Sequence, residues 1–208
     1  MNNKVQKFVN HVKFMCKSNN VKFIKTKYNR IKISNNEYVS GYFQEGNRQS
    51  VLVVAGKNKR WLETLVHEYS HLLQSINMTK EWTKSKTKSG KDAWYIMNDH
   101  LMGKSINQKD INEAYKIVIQ CEKECDKQAV KIIRQFNLPI NTKVYIKKSN
   151  AYHYYHHFLK ETGNSKYVKP LYENKKLISL CPSTFRCQSE KFCPKKIFKE
   201  IKNHIENS

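Results

Sequence analysis

The segment WLETLVHEYSHLLQ, residues 61–74, holds two histidines four residues apart, with a glutamate directly after the first. On an α-helix this spacing puts His67 and His71 one turn apart on the same face, about 6 Å along the axis. Both imidazoles can then bind one Zn²⁺ at ~2.0–2.1 Å. Glu68 points about 100° away, where it can act as general base on a zinc-activated water without binding the metal. These residues predict metal-assisted hydrolysis of a peptide bond.

A catalytic zinc needs a third protein ligand and one open position. The segment IQCEKECDKQAVKII, residues 119–133, offers carboxylates at helical spacing beside an apolar stripe. Glu122 is the predicted third ligand. Asp126, one turn later, is predicted to accept a hydrogen bond from a ligating imidazole and so fix its tautomer. Glu124 lies about 200° around the helix from Glu122 and is the weaker candidate; a plain surface carboxylate is the alternative for Glu122.

The spacing of apolar residues predicts the elements that must position these side chains. Amphipathic helices are expected over 4–17, 59–77, 108–136, 149–162 and 194–206. Between the first two, the short segments VKFIKT, RIKIS, YVSGYF and SVLVVAG predict a small antiparallel sheet, since each is rich in β-branched or aromatic residues. Asn58 is placed to cap the helix that carries the histidines. The expected fold class is α+β, with the sheet packed on this helix and on the second long helix.

The length and composition of the chain predict one main domain. The chain has 208 residues, of which 39% are hydrophobic, so it can bury a sizeable core. We expect a domain over 1–165, with a polar surface insertion at about 78–107. An irregular, cysteine-containing C-terminal extension over 166–208, ending in the last helix, is expected to pack on the same domain.

The cysteines predict little chemistry of their own. Cys121 and Cys125 lie on the second long helix, where they are expected as small apolar core residues. Cys181, Cys187 and Cys193 are evenly spaced, without the paired C-x2-C knuckles of a zinc ribbon. Ordinary thiols are therefore expected, and a second metal site is the alternative.

The charge of the chain predicts attraction to polyanions. The formal net charge is +22, with 34 lysines and only 5 arginines. Such a field attracts nucleic acids or acidic proteins in a salt-dependent way. Scarce arginine disfavours sequence-specific reading of bases. No run approaches the ~20 apolar residues that span a bilayer, and the N-terminal segment lacks the apolar core of a signal peptide. We therefore expect a cytoplasmic protein without a membrane partner.

His67-Glu68-x-x-His71 followed by Glu122-x-x-x-Asp126 resembles the gluzincin clan of zinc metallopeptidases. Within that clan, CEKECDKQAVKII is similar to the E-x-x-A-N/D-x-x-A helix of the small ImmA/IrrE-like peptidases. SNAYHYY, residues 149–155, resembles an ANAY-x-Y segment of phage- and virus-encoded metallopeptidase-like proteins.

This resemblance implies a zincin-like fold, with the two histidines and Glu122 as ligands of Zn²⁺, Glu68 as catalytic base and Asp126 as an outer hydrogen-bond partner. It also implies that a protein or peptide substrate pairs as an extra strand on the sheet edge before the active helix, where SVLVVAG lies. The long gap between His71 and Glu122 departs from a minimal domain. The insertion at 78–107 fills this gap, as a lid or specificity loop.

The segment AYHYYHHF, residues 151–158, is the remaining concentration of reactive side chains. Any residue from Tyr152 to His157 could stabilise a developing oxyanion, and packing on the core is the alternative for each of them.

Three functions from different classes fit the sequence. The first is an active zinc-dependent metallopeptidase with Glu68 as general base. The second is a catalytically weak or inactive zincin scaffold that binds nucleic acid or nucleoprotein as a regulatory protein. A zinc site kept for stability alone is a third. Glu68 favours the first, because a structural zinc site has no use for a general base.

Overall fold

The computed structural model describes residues 3–33, 38–163, 171, 174–185 and 194–206. Its elements, in chain order, are α1 Asn3–Ser18, β1 Val21–Thr26, β2 Ile31–Lys32, β3 Tyr38–Val39, β4 Gly41–Gln44, β5 Ser50–Ala55, α2 Trp61–Ile76, α3 Lys80–Thr83, α4 Ala93–Leu101, α5 Gln108–Gln135, α6 Thr142–Thr162, α7 Lys175–Leu180 and α8 Lys195–Glu206. The predicted α+β class is confirmed. Among the described residues, no helix is both long and apolar enough to cross a bilayer.

The contacts of the chain define two compact units. The first comprises Met1–Thr79 and Gln128–Ile140, and the second comprises Lys80–Lys127 and Asn141–Ser208. Helix α5 is one continuous helix that contributes residues to both. The described part of the predicted extension, including α7 and α8, belongs with α6 in the second unit.

The sheet of the first unit corrects two expectations. Its strand order is β1-β5-β4, and β5 runs parallel to β1 and antiparallel to β4, so the sheet is mixed rather than antiparallel. The strand within SVLVVAG is therefore central, and the expectation that this segment forms the open edge is wrong. The sequence carries the reason: four consecutive residues of β5, from Leu52 to Ala55, are buried, as in a strand that is covered on both faces. The edge strands of this sheet are β1 and β4, and β4 is the edge strand that contacts α2.

Helices pack on this sheet and form the core of the first unit. Helix α1 contacts β1, and α2 contacts β4 and β5. The predicted cap of α2 needs correction, because Arg60 is the cap residue and makes no side-chain cap hydrogen bond. The side chain of Asn58 instead accepts from the N–H of Arg60 at 2.8 Å and donates to the carbonyl oxygen of Asn29 at 3.0 Å. Asn58 thereby fixes the turn that leads into α2.

The second unit is helical among its described residues. Helix α4 lies within the predicted insertion and begins at Ala93, directly after Asp92, whose side chain caps it. Helix α6 begins at Thr142, well before the predicted start at 149, because Asn141 accepts from two main-chain N–H groups of its first turn. Helix α7 lies in a segment that was expected to be irregular.

Two apolar clusters hold the second unit together. One joins α4 to α5, and the other joins α6 to α7 and α8. Cys181 is buried in the second cluster, as expected for an ordinary thiol. The predictions for Cys187 and Cys193 lie outside the described residues.

Candidate metal centre

The two histidines of the sequence motif lie together on one face of α2. The ring centroids of His67 and His71 are 4.8 Å apart, and the ring planes are nearly perpendicular. His71 is buried and His67 is partly exposed. The helix is held in place by buried apolar side chains on its other faces, among them Leu65, Val66 and Leu72. The predicted spacing therefore brings both imidazoles to one place.

A neighbouring glutamine fixes the tautomer of His71. The Nδ1 atom of His71 lies 2.9 Å from Oε1 of Gln74, which is buried one turn further along α2. An amide oxygen only accepts, so Nδ1 carries the proton and the lone pair of the ring lies on Nε2. Metal-binding histidines commonly have such a partner. The sequence motif did not single out Gln74, although its position three residues after His71 on the same helix was a usable signal.

The carboxylate of Glu68 is bound by the edge of the sheet. Its Oε2 accepts a hydrogen bond from the main-chain N–H of Phe43 at 2.9 Å. The N–H of Ala55 donates to the carbonyl oxygen of Ser40, so the alternation of an antiparallel pair turns the N–H of Phe43 away from β5. Glu68 is itself largely buried. The predicted general base therefore lies directly against the open edge of β4.

A glycine allows α2 to approach this edge so closely. A Cβ atom at Gly41 would lie 2.6 Å from Cγ2 of Thr64, 2.7 Å from the carbonyl oxygen of Val53 and 3.4 Å from Cγ of Glu68. Contacts below 3.0 Å force a neighbour to move, and one of these neighbours is main chain. Gly41 therefore sets the distance between Glu68 and β4.

Among the described residues, one group of three side chains could hold a metal ion. It consists of His67, His71 and Cys125, whose ligand atoms all lie within 4.8 Å of one another. Two imidazole nitrogens and a thiolate are donors that zinc prefers. The sequence placed Cys125 correctly in the core, where it is fully buried, but did not recognise its sulfur as a donor. The available signal was its position on α5 three residues after Glu122.

Glu122, the predicted third ligand, is buried on α5 and is not a member of this group of three. Its carboxylate acts on His156 of α6. Burial lowers the pKa of His156 to about 4, and the negative charge of Glu122 opposes that shift. Both ring nitrogens of His156 are buried without a hydrogen-bond partner among the described residues. The ligand role of Glu122 remains a prediction.

Asp126, the predicted outer partner, joins α5 to α6. Its carboxylate accepts from the hydroxyl of Tyr145 at 2.8 Å and from the hydroxyl of Ser149. It also lies 3.1 Å from Nε2 of His153. One imidazole beside Asp126 is therefore that of His153, and the predicted bond from a metal-binding imidazole stays a prediction. The sequence did not predict this pair, because it joins residues from two helices.

The aromatic segment of α6 has side chains of several kinds. Tyr154 packs in the apolar cluster with α7 and α8, so the packing alternative applies to it. His153 is buried beside Asp126. Tyr152 is exposed and makes an edge contact with His156, with ring centroids 4.7 Å apart. The segment thus provides both core packing and buried imidazoles next to the carboxylates of α5.

Comparisons of the chain with protein-family profiles, with curated protein sequences and with solved structures found no match. What the site can do therefore follows from its own geometry and donor chemistry. Two imidazoles, one of them with a fixed tautomer, can hold a transition metal together with a thiolate. A carboxylate beside them can hold or move a proton.

Proposed function

We propose that the chain is a zinc-dependent metallopeptidase that hydrolyses peptide bonds of protein substrates, with Glu68 as general base. The observation that carries this proposal is the position of Glu68. Glu68 comes directly after His67, whose ring lies beside that of His71 on α2. The carboxylate of Glu68 accepts a hydrogen bond from an edge strand of the sheet. A zinc site kept for stability does not require an acid–base group at a strand edge.

The proposal includes a zincin-like arrangement of the first unit. A mixed sheet with an open edge strand, β4, packs on the helix that carries the paired histidines. An extended substrate can pair with the open edge of β4, because the unpaired main-chain groups of such an edge bind a further strand. The substrate main chain would then run beside Glu68.

The fit of the site to zinc rests on its donor set. His67 and His71 would bind the metal through imidazole nitrogens, and Cys125 would supply a thiolate. With three protein ligands, zinc keeps a fourth position open, as catalytic sites require. When bound, zinc supplies polarisation of the scissile carbonyl and lowers the pKa of water. Gln74 fixes the orientation of the His71 ring.

Glu68 carries out the proton transfers of the reaction. Its carboxylate removes one proton from the attacking water as the oxygen bonds to the carbonyl carbon. The same proton is then delivered to the departing nitrogen when the C–N bond breaks, so the base is regenerated. The hydrogen bond from Phe43 fixes the position of the carboxylate before the substrate binds. A substrate strand beside β4 is expected to compete for that donor.

The test separates metal binding from catalysis. Metal content is measured on purified protein, and new peptide termini are identified by mass spectrometry after incubation with a mixed-sequence peptide library. We expect Glu68→Gln to keep zinc and to generate no termini, and His67→Ala to lose both. Glu63→Gln is the control on the same helix, where Glu63 pairs with Arg60 at its start, and it should retain both properties. Wild-type protein without stoichiometric zinc, or a Glu68→Gln variant that cleaves like wild type, would contradict the proposal.

A further inference from the structure

The second unit contains a large basic cleft. Its volume is about 1130 Å³, and its lining comes mainly from α3, from the segment that follows α3 and from α5. Seven lysines and two glutamates line it, so its walls carry a surplus of five positive charges. Most of the segment predicted as a polar insertion belongs to this unit, and four charged residues of that segment lie in the cleft wall.

Several of these lysines form no ion pair with the residues that the structure describes. Lys80, Lys84 and Lys88 are exposed and make no ion pair with any described residue. The carboxylate of Glu113 accepts a hydrogen bond from the main-chain N–H of Lys88 at 3.0 Å rather than from its ammonium group. Like charges held near one another are unfavourable, so these ammonium groups are suited to an anionic ligand.

The other lining residues suit a peptide. Ile117 and Ile119 of α5, each 9% exposed, contribute the apolar part of the cleft lining. Asn112 and Gln120 are exposed and offer amide groups that can bond to a peptide main chain. An apolar surface with amides and a lysine rim matches a chain in which acidic and apolar side chains are mixed.

The same lining is poorly suited to nucleic acid. Sites for single strands combine basic groups with exposed aromatic rings on which bases stack. The ring of Tyr115 in the described lining is fully buried, and that lining contains no Phe, no Trp and no arginine for bidentate phosphate contacts.

We propose that this cleft binds an acidic peptide segment with interspersed apolar residues. The part of the insertion that lies in the second unit then forms one wall of a recognition site. A second part of this proposal rests on the peptidase function proposed above. The bound segment would belong to the protein substrate, so the cleft would determine which proteins are cleaved. The binding itself does not depend on catalysis.

The test is equilibrium binding of a fluorescein-labelled peptide made of Glu-Glu-Leu repeats, followed by fluorescence anisotropy. EDTA is present throughout, so metal-dependent cleavage plays no part and failure of the peptidase proposal would leave the result unaffected. The cleft variant is Lys80→Gln/Lys84→Gln/Lys88→Gln. The matched control is Lys195→Gln/Lys196→Gln/Lys199→Gln, which removes the same charge from exposed positions of α8. Circular dichroism verifies that both variants are folded.

We expect the cleft variant to weaken binding of the peptide about tenfold, while the control variant changes it less than about twofold. A Gln-Gln-Leu peptide should bind more weakly to wild type than the acidic peptide, and the difference should shrink at high salt. Equal weakening by the two variants would show diffuse attraction and overturn the proposal. It would also be overturned if a dT12 oligonucleotide bound more tightly than the peptide and lost that binding only in the cleft variant, because the cleft would then be a nucleic-acid site.

Discussion

The main-chain N–H of Phe43 donates to the carboxylate of Glu68 across 2.9 Å. This bond joins an edge strand of the sheet to Glu68, the residue directly after His67. A carboxylate that accepts from a main-chain donor is held in one place, because the backbone of a strand does not rotate away. The relationship gives Glu68 a defined position relative to anything that pairs with β4.

Gly41→Ala should disturb this relationship. The new Cβ would meet Cγ2 of Thr64 at 2.6 Å and the carbonyl oxygen of Val53 at 2.7 Å, so α2 must move away from β4. We expect a loss of about 1–3 kcal/mol in the free energy of unfolding, measured with urea, and a fall in kcat/KM for peptide cleavage. Thr64→Ser removes one of the two clashes and should restore part of the stability in the double variant. An unchanged unfolding midpoint in Gly41→Ala would show that this approach is not tight.

Cys125→Ala and Glu122→Gln should have different effects on metal binding. Because the sulfur of Cys125 lies with the two imidazoles, we expect Cys125→Ala to weaken zinc binding by at least about 100-fold and Glu122→Gln to weaken it much less. Competition with a chromogenic chelator measures both affinities, and thermal unfolding in EDTA tests whether the buried substitutions change the fold. If Glu122→Gln weakened zinc binding more than Cys125→Ala, Glu122 would be the third ligand, as the sequence predicts.

Gln74→Leu should lower zinc affinity without removing a ligand. The Oε1 atom of Gln74 holds the Nδ1 proton of His71, and loss of such a partner typically costs 10–100-fold in metal affinity. Gln74→Glu keeps an acceptor at the same position and should bind zinc at least as tightly as wild type. If Leu and Glu at this position gave the same affinity, the hydrogen bond would have no role in metal binding.

Glu200→Gln should reduce stability in a pH-dependent way. Oε2 of Glu200 lies 2.6 Å from Nζ of Lys176, and Asn174 donates to Oε1 at 3.3 Å. The hydrogen bond from Lys176 holds the pKa of Glu200 below its ordinary value of 4.5. The carboxylate therefore stabilises the fold above about pH 4.5, and this contribution is lost as the pH falls through the lowered pKa.

At pH 7 we expect Glu200→Gln to cost about 1 kcal/mol, because Lys176 is largely exposed to solvent. Urea unfolding at pH 7 and pH 3 measures the difference, which should shrink at the lower pH. Glu206→Gln is the control, since Glu206 pairs with Lys202 at the surface and at 3.7 Å. A cost that does not change with pH would mean that the side chain acts through packing alone.

The sequence predicted the local parts of the site and missed those that depend on distant pairing. His67, Glu68 and His71 follow from helix periodicity, which depends only on residues a turn apart. The partner strands of SVLVVAG could not be derived this way, because short apolar segments do not reveal which of them lies at an edge. The thiol of Cys125 was missed for a related reason. A buried cysteine has the same pattern whether it packs or offers a donor atom.

Three side chains of α6 contact Asp126 of α5, and these contacts affect how the two helices can move. Tyr145, Ser149 and His153 come from successive turns of α6, and all of them approach one buried carboxylate. A slip of α6 by one turn, about 5.4 Å, would break these contacts and put residues one turn away in their places, beside a charge in the protein interior, where imperfect compensation is unfavourable. Asp126 thus favours the present alignment of α6 along α5. It would oppose sliding of one helix along the other.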